Sequence, residues 1–240
     1  MRQIAILGLG HFGKSILDEL LELKADVFII DKDRDVVDAY KDAPVSAVAL
    51  DIMTVETLRK ILPSTIDAVV IDLGGKIEAS VLAASYCEKL KIKNIIAKAE
   101  TDAHGEILEL VGATKVVFPD KEAAKRITPL LFSDLLLSYL PVSGNLAIAE
   151  LEIPEAFFGK SLLETKLRKK YQLNLLSVRS TSTEYIICEP NYIFKAGDIG
   201  LFYGDSGALR EFAGGSGSEF SKNSYGDIIA KILKSLRVKG

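Results

Sequence analysis

Two kinds of hydrophobic pattern alternate along the first half of the chain. Short apolar runs rich in β-branched residues are typical of strands buried on both faces of a parallel sheet. Six such runs occur, at residues 4–7, 27–30, 47–50, 68–71, 95–97 and 116–118. Apolar residues at helical spacing fill the stretches between them, at 13–23, 34–40, 55–62, 78–90 and 103–111. The alternation predicts an α/β fold, a Rossmann-like doubly wound parallel sheet.

The second half of the chain has a different pattern. Residues 121–140 carry apolar residues at helical spacing up to Pro141, which predicts a connecting helix. From residue 145, short alternating strands, a helix near 162–171 and two turn clusters predict a small α+β domain. We therefore assign four segments: a Rossmann-like domain at 1–120, a connecting helix at 121–143, a small C-terminal α+β domain at 144–212, and a flexible Gly/Ser linker with a basic amphipathic helix at 213–240.

Composition and charge argue against several classes of protein. The 240 residues carry a formal charge of −3, whereas nucleic-acid binding needs a local excess of Lys and Arg, so we expect no nucleic-acid partner. The two cysteines form no cluster, which indicates a reducing cytoplasm rather than a disulfide framework or a zinc site. The longest uncharged stretch, 135–149, is too short to span a bilayer, so we expect a soluble protein.

A glycine motif directly follows the first predicted strand and opens a helix. It reads Gly8, Leu9, Gly10, His11, Phe12, Gly13. In the GxGxxG turn the first glycine permits the tight bend, the second lets backbone approach phosphates, and the third allows close packing of helix and strand. The helix N-terminus then faces the anion. The context predicts a nucleotide site, the alternative being a glycine turn chosen for packing.

Acidic and basic residues follow the other predicted strands, where ligands of open α/β sheets bind. Asp31, followed by Lys32, ends the second strand, at the position where a carboxylate accepts the ribose hydroxyls. Asp51 and Ile52 follow the third strand, where Asp51 either reaches the adenosine or caps a helix. Gly74 and Gly75 follow the fourth strand, where they either let backbone pass close to the ligand or simply form a turn. Lys98 ends the fifth strand, where it either neutralises a phosphate or is a solvated lysine.

The order of these pieces resembles the RCK (KTN) domain family, the cytosolic regulatory subunits of Trk/Ktr-type potassium uptake systems and of ligand-gated potassium channels. The resemblance covers about residues 2–212. It rests on the run at 4–13, Leu50-Asp51, the stretch 112–120 ending in Phe118-Pro119-Asp120, Phe158-Gly159-Lys160-Ser161-Leu162 and Phe194-Lys195-Ala196-Gly197-Asp198.

This resemblance implies an N-lobe that binds ATP, ADP or NAD(H), and a crossover helix that forms a homodimer. We place the dimer contact on apolar residues of the predicted helix: Ile127, Leu130, Leu131, Leu135 and Leu136. It also implies a C-lobe that takes a second regulator such as cyclic di-AMP or a metal ion. Such dimers assemble into a gating ring on the inner face of the membrane, under a potassium-translocating partner.

Two positions depart from the family pattern. Many Ktr-type members carry an arginine in the phosphate loop where this chain has His11. The direct contact of that arginine with a γ-phosphate is therefore lost in this chain. Asp120 stands where a glutamate is common, and is the candidate for meeting a divalent cation bound with the nucleotide.

We predict a regulatory subunit and not an enzyme. The competing class is an NAD(H)-dependent oxidoreductase, which needs a general acid or base beside the nicotinamide. The predicted C-terminal domain contains no histidine to fill that role. A structural dimerisation module that holds nucleotide only for stability is a third alternative.

Overall fold

The computed structural model describes residues 2–51, 54–180 and 184–214, which form two compact units that divide between Glu122 and Ala123. Ile52 and the basic amphipathic helix predicted after the Gly/Ser stretch lie outside the described residues. Within the described residues, no helix has the length and apolar character that a membrane span requires.

The first unit contains six parallel strands in the order β3-β2-β1-β4-β5-β6. The strands are β1 (Gln3–Leu7), β2 (Asp26–Asp31), β3 (Ser46–Ala49), β4 (Ala68–Ile71), β5 (Asn94–Lys98) and β6 (Lys115–Val117). The helices between them are α1 (His11–Glu22), α2 (Arg34–Asp38), α3 (Val55–Ile61), α4 (Ile77–Lys89) and α5 (Asp102–Leu110). The predicted doubly wound sheet is confirmed.

Alternate residues of each central strand face opposite sides of this sheet. Leu7 and Ile30 belong to one fully buried apolar cluster, and Ile6 and Ile29 belong to the cluster on the other face, with Leu17 of α1. Because both faces are covered by helices, strand residues of either parity are apolar, which is the pattern seen in the sequence.

The second unit contains an antiparallel sheet in the order β7-β8-β10-β9. Its strands are β7 (Leu136–Ser143), β8 (Leu146–Glu152), β9 (Leu173–Arg179) and β10 (Ile199–Asp205), and its helices are α7 (Leu162–Thr165), α8 (Leu167–Tyr171) and α9 (Ser206–Ala213). Phe194, Phe202 and Leu151 are among its fully buried core residues. The predicted small α+β fold is confirmed, although the helix predicted near 162–171 is interrupted at Lys166, which has a φ of +50°.

The long helix predicted at 121–140 is wrong beyond Ile127. Helix α6 covers Pro119–Ile127, a 3₁₀ turn follows over Thr128–Phe132, and residues 136–143 form β7. Pro129 has no backbone N–H and disfavours helical geometry in the residue before it, so the α-helix ends there. Leu136 is consequently buried in the core of the second unit and does not lie on a helix face.

The linker predicted from residue 213 is wrong at its first residue, which belongs to a helix. Ala213 is the last residue of α9 and is buried with Leu209 and Phe212 in the apolar cluster of the second unit. The apolar face of α9 therefore continues to the edge of the Gly/Ser stretch.

Candidate functional site

In the first unit, successive strands are added on one side of β1 up to β3 and on its other side from β4 onwards. The chain passes from β1 to its neighbour β2 on one side, and later returns to β4 on the other side. In open α/β sheets a crevice forms at such a point, outside the carboxyl ends of the strands. The predicted residues Gly8–Gly13, Asp31, Lys32, Asp51, Gly74 and Lys98 all lie at this edge of the sheet.

The glycine turn between β1 and α1 packs directly on the end of β4. A Cβ added to Gly8, which has a φ of +89°, would lie 2.1 Å from the backbone oxygen of Asp72. A Cβ at Gly10 would lie 2.4 Å from Asp72 Oδ2, and one at Gly13 would lie 2.5 Å from the oxygen of Gly8. The fold itself therefore requires all three glycines, as the packing interpretation of the motif proposed.

Asp72 is a site residue that the sequence reasoning missed. Its side chain is 1% exposed, and Oδ2 accepts a hydrogen bond of 2.9 Å from the N–H of Gly13. Oδ1 has no hydrogen-bond partner among the described residues and lies 3.5 Å from Lys98 Nζ. The available signal was a carboxylate directly after an apolar strand, but the site prediction at this strand was placed on the glycines that follow.

Asp31 holds the same turn from the β2 side. Its Oδ2 accepts a hydrogen bond of 2.7 Å from the N–H of Leu9, and its Oδ1 accepts one of 2.9 Å from the N–H of Asp33. An ionised carboxylate has about four acceptor positions, so two remain after these bonds. The arrangement fits a ribose diol, whose hydroxyls donate to a carboxylate beside the glycine turn.

The N-terminus of α1 presents backbone donors at this turn. Gly10 is the N-cap and has no side-chain cap hydrogen bond. No described residue accepts from the N–H of Gly10, His11 or Phe12. Unpaired N–H groups and the helix dipole together favour an anion such as a phosphate. His11 is exposed in the first turn, while Leu9 and Gly13 are buried.

Two exposed lysines approach each other at the crevice. Lys32 follows β2, and Lys76 precedes α4. The nearby Lys32 ammonium lowers the pKa of Lys76, while Asp51 opposes that shift. Gly74 and Gly75 have φ of +49° and +63°, and apart from their chain neighbours no described residue has an atom within 4 Å of where a Cβ would stand. Lys76 is a second residue that the sequence reasoning did not single out.

Lys98 lies between two carboxylates, those of Asp72 and Glu100. Its Nζ is 3.2 Å from Glu100 Oε1 and 3.5 Å from Asp72 Oδ1. Burial lowers the pKa of Lys98, but Glu100 and Asp72 together outweigh burial and raise it. Lys98 is therefore an ammonium already compensated by protein charges.

His104 is a buried structural residue beside this cluster. Its Nδ1 accepts from the N–H of Glu100 at 3.3 Å, which leaves the proton on Nε2. Nε2 then donates to Ser80 Oγ at 2.8 Å, and Ser80 donates to the oxygen of Ile77. Burial lowers the pKa of His104, so the ring is neutral at pH 7.

Asp120 lies away from the glycine turn. It is exposed in the first turn of α6 and lines a shallow cleft with Lys98, Glu100 and Phe118. Within the described residues, no three His, Cys, Asp or Glu side chains are grouped as metal ligands. The role of Asp120 toward a nucleotide-bound cation stays a prediction.

Comparison with known proteins connects these features to a family. The TrkA-N domain model matches residues 4–119, and the TrkA-C domain model matches residues 146–214. The Ktr system potassium uptake protein C of Bacillus subtilis is 31% identical over 178 residues, which are 74% of this chain and 80% of that protein. The chain belongs to the TrkA-N/TrkA-C family of Ktr-type potassium uptake proteins. The Ktr system potassium uptake protein A of the same organism is 27% identical over 88% of this chain and 95% of its own length.

In this Ktr-type protein the first unit carries the TrkA-N match and the second carries the TrkA-C match. Part of the GsuK channel, solved with NAD bound, has a similar fold, with a TM-score of 0.63 and 19% identity. That alignment covers 91% of this chain and 40% of the GsuK chain. It supports the fold assignment for both units.

Proposed function

We propose that this chain is the cytosolic, nucleotide-binding regulatory subunit of a Ktr-type potassium uptake system. The observation that carries the proposal is the match of both TrkA domains together with two relatives named as Ktr system potassium uptake proteins. The role is regulatory rather than enzymatic, with potassium crossing the membrane through a separate partner subunit.

An adenine nucleotide, either ADP, ATP or NAD(H), is the proposed ligand of the TrkA-N domain. The N–H groups of Gly10, His11 and Phe12, from which no described residue accepts a hydrogen bond, receive its phosphates. The remaining acceptor positions of Asp31 receive the ribose hydroxyls. Lys32, Asp51 and Gly74 are the proposed neighbours of the ligand on this edge, and Ile52, which lies outside the described residues, stays a proposal from the sequence. Asp120 is the proposed contact for a divalent cation that accompanies the phosphates.

The ligand acts by shifting the shape of an assembly. Homodimers form a higher ring on the inner face of the membrane, and the nucleotide state sets the ring conformation that opens or closes the partner. A ligand shifts such an equilibrium only by its differential affinity for the two states. Tenfold discrimination supplies about 1.4 kcal/mol. The TrkA-C domain takes a second regulator, for which cyclic di-AMP is the candidate.

Calorimetric titration with ADP, ATP, NAD⁺ and NADH tests the nucleotide site. We expect Asp31→Ala to weaken adenine nucleotide binding by roughly tenfold or more, because hydrogen bonds to a charged group contribute about 1.5–3 kcal/mol. The variant would lose both the acceptor for the ribose hydroxyls and the hydrogen bond that Asp31 accepts from the N–H of Leu9. Asp38→Ala, at the exposed end of α2, is the matched control and should bind normally. Equal affinity in wild type and Asp31→Ala would refute the assignment.

A further inference from the structure

A buried negative charge lies directly under the turn that is proposed to bind phosphates. We propose that Asp72 is a specificity-determining residue, whose fixed charge makes the site discriminate between nucleotides by the amount of negative charge that they bring to the β1–α1 turn. This inference rests on the proposed function, because it concerns the same nucleotide site.

The geometry places the Asp72 carboxylate against the donors that would receive the ligand. Oδ2 accepts from the N–H of Gly13, in the first turn of α1, and would lie 2.4 Å from a Cβ at Gly10. A phosphate on the neighbouring N–H groups of His11 and Phe12 therefore shares this helix N-terminus with Asp72. The carboxylate is 1% exposed, so water screens its repulsion only weakly.

Among the described residues, the one cation paired with Asp72 is also shared with a second carboxylate. Lys98 is 3.5 Å from Asp72 Oδ1 and 3.2 Å from Glu100 Oε1, so one ammonium faces two carboxylates. This cluster has a net negative charge. Oδ1 has no hydrogen-bond donor within the described part of the chain. If a phosphate drew Lys98 away, a buried carboxylate oxygen would lose its ion-pair partner, which is costly.

Each additional negative charge on the ligand therefore meets a larger penalty. ATP carries the most negative charge of the candidate ligands, ADP carries less, and NAD⁺ carries the least. Asp72→Asn removes the charge but keeps an oxygen that accepts from Gly13. The variant should bind ADP about tenfold more tightly, which corresponds to ~1.4 kcal/mol. The gain should be larger for ATP and smaller for NAD⁺.

The test is calorimetric titration of wild type and Asp72→Asn with these three nucleotides at low and high salt. Glu19→Gln removes an equal charge from the exposed far end of α1, and serves as the matched control. Glu100→Gln frees Lys98 from its exposed partner and should show the same order of gains at smaller size. This second variant keeps the inference testable if Asp72→Asn fails to fold.

A graded gain, largest for ATP, present in the two site variants and absent from Glu19→Gln, supports the role of Asp72. The gain should also shrink at high salt, because screening weakens charge repulsion. The same fold-change for all three ligands, or a uniform loss, would mean that Asp72 only shapes the turn, and would overturn the inference while leaving nucleotide binding intact. Failure of the wild type to bind any nucleotide would overturn both this inference and the proposed function.

Discussion

Asp31 and Asp72 hold the turn between β1 and α1 from opposite sides. Asp31 binds the N–H of Leu9, and Asp72 binds the N–H of Gly13. The sequence predicted Asp31 because its distance from the glycine motif matches the ribose position. Asp72 was not predicted: its place after an apolar strand is visible in the sequence, but only the folded chain shows that it meets Gly13, 59 positions away. The chemistry of the candidate site is thus only partly encoded in local spacing.

His104 provides a residue-scale prediction about pH. Burial lowers its pKa in the folded state, whereas the unfolded chain protonates near pH 6.5. The unfolded state therefore binds more protons in this range, and the free energy of unfolding should fall as the pH is lowered through about 6.5. His104→Asn should show a smaller decrease between pH 7.5 and 5.5 in urea denaturation.

The control for this measurement is His11→Asn, which removes the exposed second histidine. It leaves the buried His104 in place, so the two variants compare loss of a buried histidine with loss of an exposed one. If wild type and His104→Asn lost the same stability between these pH values, burial of a neutral His104 would not contribute to acid sensitivity.

At the scale of elements, the β1–α1 turn depends on close contact with β4. The N–H of Gly8 donates to the oxygen of Ile30, and the N–H of Asp72 donates to the oxygen of Leu7. These bonds bring the ends of three strands together under α1. A side chain at Gly8 cannot be accommodated without moving backbone.

Gly8→Ala should therefore destabilise the first unit by about 3 kcal/mol or more, since strain at positive φ adds to the clash with the Asp72 backbone oxygen. Gly75→Ala is the matched comparison in the same unit: its φ is also positive, but its Cβ would meet open space. It should cost only about 1–2 kcal/mol. Thermal unfolding measures both, and equal losses would show that the contact with β4 does not constrain the turn.

The regular elements were predictable to different degrees. The six parallel strands are short apolar runs between amphipathic stretches, and local pattern predicts both. Residues 136–143 were wrongly predicted as part of a helix, because a short apolar run is compatible with a strand and with a buried helix equally. Pairing with β8 decides the outcome, and that contact is not visible in the segment itself. Pro129 was the local signal that the preceding helix could not continue.

The whole molecule carries an exposed apolar group that bears on assembly. Ile127, Leu131 and Phe132 are 55%, 77% and 58% exposed around the 3₁₀ turn that follows α6. Among the residues first predicted for a dimer contact, Leu136 is buried in the second unit and is unavailable. The three exposed side chains are the better candidates for a contact between copies of the chain.

Potassium flux tests most directly whether nucleotide bound at the TrkA-N domain controls uptake. The chain would be reconstituted into liposomes with the proposed membrane partner, and potassium flux would be measured with ATP, ADP, NAD⁺ and NADH in turn. We expect flux to depend on which nucleotide is present, and Asp31→Ala to lose that dependence at the same concentrations. Equal flux with all four nucleotides, and with the chain omitted, would contradict the regulatory role.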